Sequence, residues 1–321
     1  MQRQIKTKTN NRNWLSQGFH LLRDRKAFPY LMLAPTFIAF LILTVFPILK
    51  ALQMSLFEYT LIFPTHPFIA LDNFKELFND ELFWSTMLNT VLYTVVDGTL
   101  STITAILLAL ALKRKFKGIA IIRTIILIPW IAPTVVVGYI FVWLFNGPYS
   151  PINELLMQLH LIKEPFQFLG DLNIIKWGPI TLPWLTVNNA RLWISFSYKA
   201  IIFLAAIQAI PENLYEAAVI DGASKWQRFK IITWPFLVPV LSIVFTLTLI
   251  HHFGHFDLNY FMTEGGPQNA TNVMAVLVYL KAFEEFRLGY ASAMGIIMLF
   301  LTGSIAYLYI HFIVNREEDI M

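Results

Sequence analysis

Six stretches of this 321-residue chain are about 20 residues or longer and carry almost no charge. They cover roughly Tyr30–Leu49, Thr86–Leu112, Ile121–Phe145, Asn189–Ile210, Phe236–Phe256 and Ala291–Val314. That is the length a helix needs to cross the hydrocarbon of a bilayer. Backbone groups in hydrocarbon must be bonded internally, so each stretch is expected to be a helix. No alternating ten-residue pattern points to a barrel. Composition agrees, with 57% hydrophobic and 14% charged residues, against about 45–50% and about 25% in soluble domains. These values exclude a soluble enzyme and a disordered chain. The chain has no cysteine, which removes disulfides, thiol catalysis and cysteine-held metal centres.

Lys and Arg set the expected orientation. With the N-terminus inside, sixteen fall on the inner side: Arg3, Lys6, Lys8, Arg12, Arg23, Arg25, Lys26, Lys113, Arg114, Lys115, Lys117, Arg123, Lys225, Arg228, Lys230 and Arg316. Seven fall outside: Lys50, Lys75, Lys163, Lys176, Arg191, Lys281 and Arg287, with Lys199 inside a span. This bias places both termini in the cytoplasm. The division reads as a basic tail (1–29), a first span (30–57), an external loop (58–85), a core of five spans (86–314) and a short tail (315–321). The first apolar run reads as a retained span and not as a signal peptide. The basic tail is a topology signal. A nucleic-acid arm would need a soluble context, so no nucleic-acid partner is expected.

The segment 211–235, PENLYEAAVIDGASKWQRFKIITWP, is helix-competent and too polar to span. Pro211 opens a helix over Glu212–Ile220, and Asp221-Gly222 ends it because Gly tolerates the left-handed conformation. Ser224 caps a second helix with Trp226 and Phe229 on one face, and Pro235 marks where the fifth span begins.

Within this loop Glu216-Ala217-Ala218, Gly222, Ile232 and Pro235 resemble the EAA signature of the permeases of ABC importers, with Trp234 where Leu is usual. Thr263-Glu264-Gly265-Gly266-Pro267 resembles an external loop of carbohydrate permeases. Leu33-Ala34-Pro35, Phe46-Pro47-Ile48, Tyr279, Ala282-Phe283 and Gly289-Tyr290-Ala291 extend the likeness over about residues 30–314. The nearest subgroup is the maltose and glycerol-phosphate type. The resemblance implies an all-α membrane protein with the type I ABC importer permease fold, six transmembrane helices and a cytoplasmic coupling helix. It implies that Glu216, Ala217, Ala218, Asp221 and Gly222 seat in an ATP-hydrolysing subunit, with Glu216 pairing with a basic side chain there. The expected partners are a second homologous permease subunit, two ATP-binding subunits and an external solute-binding protein. The solute is an oligosaccharide, and membrane lipid surrounds the whole.

The chain has no G-x-x-x-x-G-K-[ST] and no Gly-Lys pair. It is expected to bind no cofactor and to be no enzyme, leaving ATP and Mg to its partner subunits.

Polar residues recur inside the spans, where they are costly and point to function. Thr248, His252 and His255 share one helical face, with His251 beside them. Read functionally, the stripe lines the solute path; read structurally, it bonds helices together. A metal on His251 and His255 would need further ligands, so none is expected. Span two carries Asn89, Tyr93, Asp97, Ser101 and Thr104; span four carries Trp193, Ser195 and Lys199. Asp97 and Lys199 either pair across the bundle, or Lys199 with His252 and His255 makes the path attractive to an acidic sugar such as a uronate oligomer. Trp130 and Thr134, beside Pro129 and Pro133, complete the candidate solute path with Trp193 and Ser195. Aromatic planes suit the apolar face of a sugar ring, and hydroxyls fix its edges. An ion-coupled carrier relaying charge through Asp97, Lys199 and the histidines is the rival reading.

Overall fold

The computed structural model describes residues 28–114, 116–309 and 311. Most of the two expected tails, 1–29 and 315–321, therefore lies outside the described residues. Five helices are long and apolar enough to cross a membrane: α1 (Pro29–Met54), α3 (Glu81–Leu112), α7 (Leu182–Gln208), α9 (Lys225–Phe253) and α12 (Leu288–Tyr309). The sixth position holds a bent pair, α4 (Ile119–Ile131) and α5 (Thr134–Leu144), at 94°. The short helices are α2 (Asp72–Phe78), α6 (Pro151–Gln158), α8 (Glu212–Ile220), α10 (Asp257–Thr263) and α11 (Met274–Tyr279). One two-stranded antiparallel hairpin, β1 (Lys176–Trp177) and β2 (Ile180–Thr181), precedes α7.

Three expectations change. The third span is not one helix. Ala132 is extended (ψ 135°) immediately before Pro133, because a proline ring disfavours the helical conformation of the residue ahead of it. The fifth span does not start at Pro235. Its helix starts at Lys225 and runs through that proline. A wide π turn over Phe229–Thr233 precedes Pro235, as another over Leu41–Val45 precedes Pro47. In each the residue before the proline donates to the carbonyl five positions back, Trp234 to Phe229 O and Phe46 to Leu41 O, the wider turn of a π-bulge. The loop assigned to 58–85 contains α2 and the first turn of α3, which Asp80 caps by accepting from the Leu82 N–H at 2.8 Å.

Packing centres on α3, which lies chiefly against α7 and then α9. Lipid tails are as apolar as leucine, so close van der Waals contact and polar bonds hold such helices together. Ala105 and Ala109 of α3 and Ala200 of α7 supply the close approach, filled in by Phe203, Leu204, Leu237 and Val244. Toward the other end, Tyr93, Phe141, Trp184, Leu258 and Met262 join α3, α5, α7 and α10. A third cluster, with Leu77, Phe83, Met274 and Met294, seats α2, α11 and α12. Gly289 lets α12 meet the segment after α1: its N–H bonds Tyr59 O at 2.9 Å, and a Cβ there would lie 2.3 Å from Phe57 O. No residue of α1 itself is buried.

Candidate functional site

Two constellations carry the polar chemistry, and they lie far apart along α9. That helix has 29 residues, roughly 43 Å at 1.5 Å per residue.

At its N-terminal end stands α8. None of its nine residues is buried. Its end is built locally: Gly222, at φ +76°, donates to Val219 O at 3.0 Å, and the Ala223 N–H reaches back to Ala218 O at 2.8 Å. This pair of bonds is a Schellman closure, which needs a left-handed residue where Gly222 stands. The chain restarts at Ser224. Its Oγ accepts from the Gln227 N–H at 3.3 Å, while Gln227 Oε1 accepts from the Ser224 N–H at 2.7 Å, a reciprocal capping box. Glu216, Ala217, Asp221 and Gly222 are exposed and Ala218 is half-buried. Tyr215 ties the helix down. Its hydroxyl lies 2.8 Å from Thr233 Oγ1 of α9, and Lys113 Nζ sits 3.7 Å from its ring centre.

Inside the bundle, α3, α7 and α9 bring together Asp97, Ser101, Ser195, Lys199, Thr248 and His252, all buried. Asp97 Oδ2 lies 2.8 Å from His252 Nδ1 and accepts from Ser195 Oγ at 3.1 Å. Lys199 Nζ donates to Ser101 Oγ at 2.6 Å, and Ser101 Oγ donates to Asp97 O at 2.5 Å. Lys199 thus reaches only the backbone carbonyl of Asp97 by way of Ser101, and the Asp97 carboxylate lies against His252. Thr248 Oγ1 donates to Val244 O within its own helix. His255 is half-buried, and its Nδ1 has no hydrogen-bond partner among the described residues.

The remaining candidates sit nearer the surface of the chain. Trp130 is 55% exposed, with Tyr198 6.1 Å away between ring centres. Thr134 is half-buried at the start of α5. Trp193 is half-buried and leans on Phe141, 5.8 Å between ring centres. Among the described residues no group of three or more His, Asp and Glu is placed to hold a metal ion.

Sequence reading put Arg191 outside the membrane. The structure buries it to 1% exposure, because α7 begins at Leu182, with Thr181 Oγ1 accepting from the Trp184 N–H. The signal was present: Thr181 followed by Pro183 is a helix-start pattern. Arg191 donates to Asn259 Oδ1, and Asn259 Nδ2 donates to Thr271 O at 2.7 Å. Arg191 thereby fastens the loop carrying Thr263–Pro267. Thr263 Oγ1 lies 2.5 Å from Thr271 Oγ1, which donates to Gly266 O at 2.8 Å, so the loop closes on itself.

Residues 101–317 match the family described as binding-protein-dependent transport system inner membrane component. The trehalose/maltose transport system permease protein MalF of Thermococcus litoralis is 33% identical, over 88% of this chain and 92% of its own. The sulfoquinovosyl glycerol transport system permease protein SmoG of Agrobacterium fabrum is 32% identical, over 95% and 94%. A bacterial ABC transporter involved in the import of the acidic polysaccharide alginate superposes with a TM-score of 0.79 at 25% identity, covering 93% of this chain and 99% of that one. Its counterpart in complex with an alginate pentasaccharide-bound periplasmic protein gives 0.77 at 25% identity, over 91% and 96%. The family match spans more than half of the chain and MalF is similar nearly end to end, so this multi-pass protein belongs to the inner membrane components of binding-protein-dependent transport systems.

Proposed function

We propose that the chain is the permease subunit of an ATP-driven, binding-protein-dependent sugar importer, with both termini in the cytoplasm. The observation that carries this reading is α8: a helix with no buried residue, closed by a glycine turn, set off from α9 by the Ser224 capping box, and tied to the ends of α3 and α9 by Tyr215. A projecting helix so fastened transmits a push from another subunit to two spans at once. Two ATP-binding subunits, using ATP and Mg, grip Glu216, Ala217, Ala218, Asp221 and Gly222 here and in a second homologous permease. Their closure biases the spans between two packings, giving alternating access. An external solute-binding protein delivers the solute.

The solute is an oligosaccharide, and an acidic one. MalF supports the sugar class, and the alginate transporter supports uronate oligomers. Exposed Trp130, with half-buried Tyr198 beside it, offers an aromatic ledge for a ring face. Lys199, His252 and His255 contribute positive and hydrogen-bonding character once α3 and α7 separate.

The test is purification and reconstitution. An ATPase subunit should co-purify, and a sugar-loaded binding protein should stimulate hydrolysis; Glu216→Lys should release or uncouple it. Uptake driven by a proton gradient without ATP would instead identify the ion-coupled carrier, which the buried Asp97–His252 contact suits. Lys199→Gln addresses acidity: uronate uptake should fall while neutral maltooligosaccharide uptake persists. Unchanged uronate uptake would remove the acidic-substrate reading and leave the importer intact.

A further inference from the structure

The last turn of α3, the first turns of α9 and Tyr215 of α8 enclose a cavity of about 840 Å³. Its wall carries Lys113, Arg114, Lys225 and Arg228 and no carboxylate. None of the four forms an ion pair among the described residues, and Arg228 Nε is buried without a hydrogen-bond partner. Four like charges around one hollow repel one another unless an anion enters, and Glu212, which lines the adjoining hollow with Lys113, Arg114 and Arg228, supplies a single negative charge against them. A buried guanidinium N–H without an acceptor calls for the same thing.

The hollow does not end at its charges. Ile106 and Leu107 also line a second, adjoining hollow of about 390 Å³ along the flank of the bundle, between α3, α9 and α12. That furrow is lined by side chains such as Ile103, Leu241 and Phe245 and is almost wholly apolar. From Thr99 to Arg114 the two hollows together form a groove along roughly 22 Å of helix. Trp226, 71% exposed and stacked on Phe229 with ring centres 5.4 Å apart, stands at the rim, where amphipathic rings mark the membrane–water boundary. A free inorganic anion fills the hollow and leaves the furrow empty. An acyl chain alone fills the furrow and leaves the charges unmet. A single amphiphile meets both.

We propose that this groove binds an anionic phospholipid of the cytoplasmic leaflet. The phosphate sits among Lys113, Arg114, Lys225 and Arg228, and one acyl chain lies in the furrow past Leu107. Basic hollows between helices at the cytoplasmic face suit such headgroups. Lys113 also holds the Tyr215 ring, so lipid occupancy acts on the footing of α8. The inference rests on the proposed function only for which leaflet is cytoplasmic.

The full-length protein, with whatever subunits accompany it, is incorporated into nanodiscs of phosphatidylcholine containing a quarter phosphatidylglycerol. It is then extracted into detergent, and its retained lipid is read by native mass spectrometry. Several-fold enrichment of phosphatidylglycerol over phosphatidylcholine is expected. Arg114→Gln with Arg228→Gln should abolish the enrichment. Since loss of charge can disturb insertion, Leu107→Trp provides a separate arm. It keeps every charge, fills the furrow at a side chain already 63% exposed, and should lower retention by a similar factor. Equal retention by wild type and both variants would overturn the proposal. So would displacement of phosphatidylglycerol by millimolar inorganic phosphate, which marks a phosphate site without a lipid, or absence of enrichment in the assembled complex, which marks the groove as covered by a partner. The readout requires neither ATP nor sugar, so failed transport leaves it unaffected.

Discussion

In α8 no residue is buried, whereas Asp97, Ser101, Lys199 and Thr248 are wholly withdrawn from the surface. The two regions solve the same problem, unpaired polar groups, in opposite ways. The C-terminal end of α8 is closed by residues a few positions away, through the backbone N–H groups of Gly222 and Ala223, and Ser224 and Gln227 cap the start of α9. In the bundle interior there is no water to fall back on. Most polar groups there find a partner on another helix or on their own backbone, and Asp97 Oδ1 and Arg191 Nε have none among the described residues. Cross-helix contacts such as Asp97–His252 and Lys199–Ser101 fix how helices pack. A helix closed by its own local turn leaves its outer face for something beyond the chain.

The largest expected effect lies in the buried network. Asp97→Ala removes the carboxylate that lies 2.8 Å from His252 Nδ1 and takes away the countercharge of Lys199, while Ser195 Oγ keeps its bond to Arg191 O. Removing one partner of a buried pair costs about 3–5 kcal/mol. The purified protein should lose most of its monodisperse fraction and unfold at a clearly lower temperature, while Asp97→Asn, which keeps an acceptor for Ser195, should lose less. If Asp97→Ala unfolds with the wild type, these residues are not one unit.

Gly222→Val tests the other region. A branched side chain at φ +76° costs roughly 1–2 kcal/mol, spent at the end of α8. Uptake should drop while the thermal midpoint of the spans stays in place. A lowered midpoint with uptake retained would erase the distinction between the regions. Ser224→Ala removes half of the capping box and costs about 1 kcal/mol. It should lower uptake less than Gly222→Val, and Ser224→Asp should restore it.

The same contrast explains what could be read in the sequence. The run Glu212–Ile220 with its glycine stop is a local pattern, and the helix appears over those residues. The apolar runs are local too, and five of the six form long helices. What escaped depends on distant residues or on a signal outweighed by hydropathy. Asp97 and His252 are 155 positions apart, and helical spacing gives faces without saying which face meets which. In sequence Lys199 reads as the partner, since its opposite charge is the visible signal. Arg191 reads as an outer loop residue because its charge argues for the surface, while the cap at Thr181 already implies a helix that starts early enough to bury it inside the protein. The break at Ala132 was foreshadowed by Pro133, but an unbroken apolar stretch hides a bend that only the backbone rule before proline demands.

The smallest effect concerns Tyr215, where the two regions touch. Tyr215→Phe deletes the hydrogen bond to Thr233 Oγ1 but keeps a ring beneath Lys113 Nζ. A single intramolecular hydrogen bond contributes about 0.5–1.5 kcal/mol, so the folded protein should persist with little change in its unfolding temperature. The consequence should appear in coupling. With the link to α9 gone and the link to α3 kept, ATP hydrolysis should proceed with fewer sugars moved per ATP. Tyr215→Leu, which removes both links, should lower that ratio further. If the two variants transport with wild-type stoichiometry, α8 is not held to the spans through this residue, and the push must travel along the backbone from Ser224 into α9 alone.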